Sequence, residues 1–139
     1  MINETRKVLN EPNLLINPTT VRVPVLNGHA ESINVEFMLP MDREKAIQIL
    51  SDKSLSPGVV VIDGGNEAAD SNDVYEYKYP TTNDLLLDEY TDAVLVGRIR
   101  NDTTRKSAIN LWCVSDNLRK GAATNAVQIA EEMLKLGYL

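Results

Sequence analysis

The sequence predicts an α+β domain built on a mostly antiparallel, mixed sheet with helices on one face. Strand signals outnumber helical ones along the chain, and short polar or Asn-Gly turns separate the clearest strand pairs. No strand–helix–strand rhythm repeats, which argues against a doubly wound parallel sheet. At 139 residues and 43% hydrophobic content, one core is the expectation.

Each element follows from local pattern. INETRKVL, within residues 1–9, places Ile2, Arg6 and Leu9 at helical spacing, with no capping residue before it. A helix that begins in mid-stride suggests that Met1 is an internal methionine of a longer parent. Pro12 and Pro18 in NEPNLLINPTT then forbid continued helix. In VRVPV, Val21, Val23 and Val25 fall on one strand face and Arg22 and Pro24 on the other; Pro24 has no N–H, so an edge or a bend is expected. Asn27 and Gly28 form a turn, and Ile33, Val35, Phe37 and Leu39 continue with strict period two, which predicts an antiparallel hairpin.

Pro40 ends that strand, Asp42 is an N-cap, and residues 43–51 form a helix with Ala46, Ile47 and Leu50 on its apolar face. GVVVID at 58–63 is a β-branched strand. From 64 to 88 the chain is acidic and rich in Tyr, Asn and Thr without period, and most of it is read as a surface excursion. DAVLVGRIR (92–100) and SAINLWCVSD (107–116) form a second antiparallel pair joined by NDTTRK. The last helix has Asp116 near its start, the stripe Leu118, Ala122, Ala126, Ile129 and Met133, and Gly137 as its stop.

Composition excludes several functions. Lys plus Arg total 14 against 20 Asp plus Glu, a net charge of −6 with no polybasic run, so nucleic-acid binding has no electrostatic basis. No apolar stretch approaches bilayer length and no charged-then-apolar leader appears, so a cytoplasmic, non-membrane protein is expected. One cysteine and one histidine are too few for a structural zinc site, and no metal is expected.

Two side chains invite chemistry. Arg22 offers a planar fork for a carboxylate or phosphate. His29, just past the turn, carries the side chain type that titrates nearest neutral pH and suits an acid/base. The plain alternatives are a solvated edge-strand cation and a turn residue with no task.

VRVPVLNGHAESINVEF resembles the segment of bacterial aspartate-semialdehyde dehydrogenases that completes their active site with an arginine and a histidine at this spacing. INETRKVL resembles the family helix just upstream, VGRIRND its penultimate strand, and LWCVSDNLRKGAATNAVQIAE its last strand and closing helix. The likeness runs in order from residue 2 to about residue 133, interrupted mainly at 68–76. It implies the C-terminal part of a glyceraldehyde-phosphate-dehydrogenase-like enzyme: residues 1–116 as part of the dimerisation and catalytic domain, and 117–139 as a closing helix that packs on an NADP-binding domain.

The family reduces β-aspartyl phosphate with NADPH to aspartate semialdehyde and phosphate, through a cysteine thioester, on the route to lysine, threonine and methionine. Carried over by position, the resemblance implies that His29 is the acid/base, Arg22 grips the substrate α-carboxylate, Glu4 holds the amino group and Lys7 serves the phosphate site. The plain alternative for Glu4 and Lys7 is an i, i+3 surface ion pair. Asn117 falls where the family places an amide near the nicotinamide; otherwise it is a helix cap. Gly121, Ala122 and Ala123 are read as allowing close packing.

The Asn-Cys segment of the family nucleophile, its substrate-orienting glutamine and a G-x-G-x-x-G fingerprint are all missing from this sequence. Cys113 lies within INLWCV, on the face of Ile109 and Leu111, and is read as a buried, inert hydrophobe. The expectation is therefore a segment inactive alone, in a homodimeric or homotetrameric enzyme. The alternative is a non-catalytic dimerisation module derived from the same family.

Overall fold

A computed structural model describes residues 1–64 and 79–139. Its core is a four-stranded sheet in the order β1-β4-β3-β2, made of β1 (His29–Glu36), β2 (Val59–Val61), β3 (Val94–Asn101) and β4 (Ala108–Ser115). β4 pairs antiparallel with β1, from His29 opposite Ser115 to Glu36 opposite Ala108, and antiparallel with β3 on its other side. β2 adds in parallel to β3, with Val60 opposite Leu95. The expected mixed, mostly antiparallel sheet is present.

Alternation along the strands divides the core between the two faces. On one, Val96, Ile99 and Ile109 pack with Ala46, Ile47 and Leu50 of α2 (Arg43–Ser51). α2 starts as the sequence predicts: the Asp42 carboxylate accepts the Lys45 N–H at 2.8 Å. Arg43 then ties the helix down, donating from Nε to the Ile99 carbonyl and from Nη2 to Asp63, both at 3.0 Å. On the opposite face Leu95, Val114 and Ile62 pack with Leu85.

Leu85 is an exception to the reading of most of 64–88 as surface. Residues 65–78 lie outside the described part, but Leu85, in a single 3-10 turn (Asp84–Leu86), is only 2% exposed. The Trp112 indole N–H donates to the Pro80 carbonyl at 3.1 Å and holds this segment against the sheet. One apolar side chain on a one-turn element leaves no periodicity to read.

The strand predicted at 21–25 does not form. The Val25 N–H closes a tight three-residue turn onto the Val23 carbonyl at 2.9 Å, across Pro24. Val21, Val23 and Val25 are 77%, 50% and 41% exposed, so their alternation packs on nothing. The bend at Asn27 survives, but the expected hairpin does not: β1 pairs with β4 on one edge, and the turn across Pro24, which has no N–H, keeps 21–25 from forming a ladder on the other. β1 also stops at Glu36, short of the expected Leu39.

The other two helices bury no residue. α1 (Ile2–Leu9) has no buried residue and ends at Asn10, in the left-handed region at φ 54°. After β4 a π-helical turn (Arg119–Ala123) leads into α3 (Thr124–Lys135). Gly137 stops α3 as predicted: at φ 75° it donates to the Leu134 carbonyl while Tyr138 N–H reaches Met133. α3 is held by polar bonds, Gln128 Nε2 to the Asp92 carbonyl and Lys120 Nζ to Gln128 Oε1. Its apolar stripe faces away from the sheet, with Leu118 68% and Ile129 53% exposed.

Candidate functional site

The end of the sheet where β1 begins is built by a polar clasp. Asp116, 4% exposed, follows β4; its Oδ1 accepts the N–H groups of Leu118 (2.7 Å) and Arg119 (3.0 Å) and its Oδ2 accepts the Asn27 amide. Burial pushes this carboxyl up, yet the N–H groups of Arg119 and Leu118 and the Asn27 amide outweigh burial and hold it below the usual carboxylate range. Asn117 Oδ1 accepts the Gly28 N–H at 3.2 Å. His29 is thus fixed from both sides: the preceding turn is bonded to residues 116 and 117, and His29 itself stands opposite Ser115 in the ladder. Its side chain is exposed to solvent.

Gly28 is required in this turn. Its φ is +93°, and a Cβ there would meet Leu85 Cδ1 at 2.5 Å, in a side chain that is itself fully buried. Gly28→Ala is therefore expected to destabilise the domain by about 1–3 kcal/mol, from backbone strain plus overpacking. Thermal unfolding of the two proteins measures it; an unchanged Tm would mean that the turn can relax.

The other predicted site residues are distributed unequally. Asn117 and the His29 turn are brought together by the Gly28 bond. Arg22 is exposed in the unpaired segment before the turn, and no hydrogen bond or ion pair joins it to a described residue. Glu4 and Lys7 stand exposed on α1, one turn apart. The i, i+3 pair of Glu4 with Lys7 is not formed among the described residues, and no contact links either to His29. Sequence reasoning missed the reach of Asn27 to Asp116 and the part of Leu85 beneath Gly28; a bond across 89 positions leaves no local signal. Among the described residues, no group of three or more His, Cys, Asp or Glu is placed to hold a metal ion, and no helix is long and apolar enough to cross a membrane.

Cys113, expected to be buried, is only half-buried: it packs against the α2-side core beside Leu111, with its thiol facing the Glu31 carboxylate of the neighbouring strand. Burial, together with the Glu31 carboxylate 3.9 Å from Sγ, pushes its thiol up to about 11. At pH 8 the thiolate fraction is then on the order of 10⁻³, against about 0.2 for an ordinary thiol. Labelling with a chromogenic disulfide should be correspondingly slow in the native state and faster in Glu31→Gln. Rapid labelling of the folded wild type would contradict the burial.

The geometry is thus a sheet backed by α2 whose edge strand starts on a solvent-facing histidine, next to a turn bonded to Asp116 and Asn117. Solved structures similar to this chain include aspartate-semialdehyde dehydrogenases. Aspartate semialdehyde dehydrogenase II of Vibrio cholerae, in a structure described as complexed with ASA, matches with a TM-score of 0.65 and 42% identity over 97% of this chain and 35% of that one. A probable aspartate-semialdehyde dehydrogenase from Pseudomonas aeruginosa matches with a TM-score of 0.56 and 32% identity, over 84% of this chain and 29% of its own. The chain belongs to the semialdehyde dehydrogenase dimerisation-domain family, whose model matches residues 1–120. Among curated relatives, the Aquifex aeolicus aspartate-semialdehyde dehydrogenase is 41% identical over 139 residues, which is 100% of this chain and 36% of that protein. The chain thus spans about a third of the length of the curated relatives it matches, their C-terminal part.

Proposed function

We propose that this chain supplies the acid/base and the substrate clamps of an NADP-dependent aspartate-semialdehyde dehydrogenase, which reductively dephosphorylates β-aspartyl phosphate through a cysteine thioester. The observation that carries the reading is the family match over residues 1–120, which takes in Glu4, Lys7, the run from Arg22 to His29, and Asn117. His29, held at a sheet end with its ring in solvent, is suited to move a proton as substrate binds and reacts. Arg22, exposed and without a partner among the described residues, is open to a substrate carboxylate. Glu4 and Lys7 present opposite charges along one helix, matching the amino and phosphate groups of the substrate.

NADP, when bound, supplies or accepts the hydride. Asn117 fits a minor contact to it: its oxygen is taken by Gly28, leaving an NH2 to donate toward the nicotinamide amide. The nucleophilic thiol and the main cofactor cradle belong, in this reading, to the part of the enzyme that the relatives carry beyond the matched third. Residues 117–139 are then the closing helix on the nucleotide domain, which their exposed Leu118, Val127 and Ile129 support. The assembly is a cytoplasmic homodimer or homotetramer formed through this dimerisation domain.

The 139-residue chain alone should show no phosphate-dependent reduction of NADP with aspartate semialdehyde; joined to the N-terminal portion of the V. cholerae relative, it should. Turnover by the chain alone, or none by the joined protein once folded, would refute the reading. In the joined enzyme Arg22→Lys should raise KM about 10- to 100-fold, because a point charge cannot replace two parallel charge-assisted bonds. Unchanged KM would remove Arg22 from the clamp.

A further inference from the structure

Asp116 is the buried charged residue of the described part, at 4% exposure. A carboxylate at such a place is costly unless donors satisfy it. Two of its bonds, from the Leu118 and Arg119 N–H groups, form an ordinary helix cap that any short polar side chain provides. The third is of another kind. It commits the second oxygen to Asn27, 89 positions away, at the turn that precedes His29. The neighbouring Asn117 repeats the connection through the Gly28 N–H. A cap alone needs neither bond.

Resting on the reading of His29 as the acid/base, we propose that Asn27 and Asp116 are positioning residues: their bond fixes the turn so that the His29 ring is held at the reacting centre. The bond joins the turn before β1 to the residue that follows β4, so the placement of the turn before the histidine depends on the segment that leaves β4. Acid/base catalysis demands such placement, because an error near 1 Å costs about 100-fold in rate.

His29 is the one histidine of the chain, so its ring gives a single imidazole Hε1 signal by NMR in the 139-residue protein. Asn27→Asp sets two carboxylates against each other at neutral pH. The reciprocal exchange, Asn27→Asp with Asp116→Asn, restores a donor facing an acceptor and leaves an oxygen to cap the helix. In Asn27→Asp the His29 signal should shift and broaden. The Gly28 and His29 amides should exchange about tenfold faster, as for loss of one charged hydrogen bond, while β3 and β4 amides stay protected. In the joined enzyme kcat should fall about 10- to 100-fold with KM within about threefold, and the double exchange should recover most of both losses.

An unmoved His29 signal in Asn27→Asp, or no recovery in the double variant, overturns the proposal. Should Asn27→Asp not fold, Asn27→Ala removes the donor without adding charge and should move the signal the same way; an unmoved signal there also overturns it. A displaced ring with unaltered kcat upholds the clasp and refutes instead the acid/base reading of His29.

Discussion

Replacing His29 with asparagine in the joined enzyme should lower kcat by about 10²- to 10⁴-fold, the usual worth of a positioned acid/base. KM should change little. Asparagine approximates the imidazole in size and can still form a hydrogen bond, but it exchanges no proton near neutral pH. The backbone argues that the substitution is structurally mild. His29 bonds into the ladder opposite Ser115 by its main chain, and its side chain is exposed rather than packed. Loss of activity would therefore not reflect loss of fold. Steady-state kinetics in both directions check it, together with thermal unfolding of the same samples. A large rise in KM with intact kcat would mean that the ring binds substrate and moves no proton.

Gly97→Ala should be the most damaging change to the fold. A Cβ at Gly97 would lie 2.2 Å from the Ile62 carbonyl oxygen and 2.5 Å from Pro80 Cδ. Neither obstacle is a loose side-chain tip. The Ile62 N–H donates to the Val96 carbonyl at 2.8 Å, so shifting the Ile62 backbone pulls on the junction between β2 and β3. Pro80 is buried and its carbonyl accepts from Trp112. Overpacking that forces backbone to move costs about 3 kcal/mol or more, which for a chain of this size lowers Tm by roughly 10 °C. Thermal unfolding or the yield of folded protein measures the effect. A variant as stable as wild type would show that β2 is free to retreat from β3.

The bulge beside Gly97 shows how the sheet serves its two faces. Val94 and Val96 point to the α2 side, so unbroken alternation would aim Arg98 into that core. Instead Arg98 and Ile99 together oppose Leu111, with Arg98 at φ 53°. The extra residue turns Arg98 outward, where its guanidinium lies 5.1 Å from the centre of the Tyr79 ring. It brings Ile99 inward to 1% exposure.

Where the pattern was local, the sequence alone was sufficient. The α2 helix with its Asp42 cap, the pairing of β3 with β4 and the Gly137 stop all rest on neighbours within a few positions, and all are present. The family, too, was legible, because several motifs occur in order along the chain. Other features depended on contacts between distant segments. Val21, Val23 and Val25 alternate like a strand but find no partner, since the tight turn across Pro24 bends the chain away from the open edge of β1. Leu85 is core although its segment has no period, because Gly28 and the sheet close over it. Residue order determined which side chains are available for chemistry. Only folding decided that Asn27 and Asp116, far apart in the chain, bond to each other at the turn before His29, because a buried carboxylate needs donors within reach.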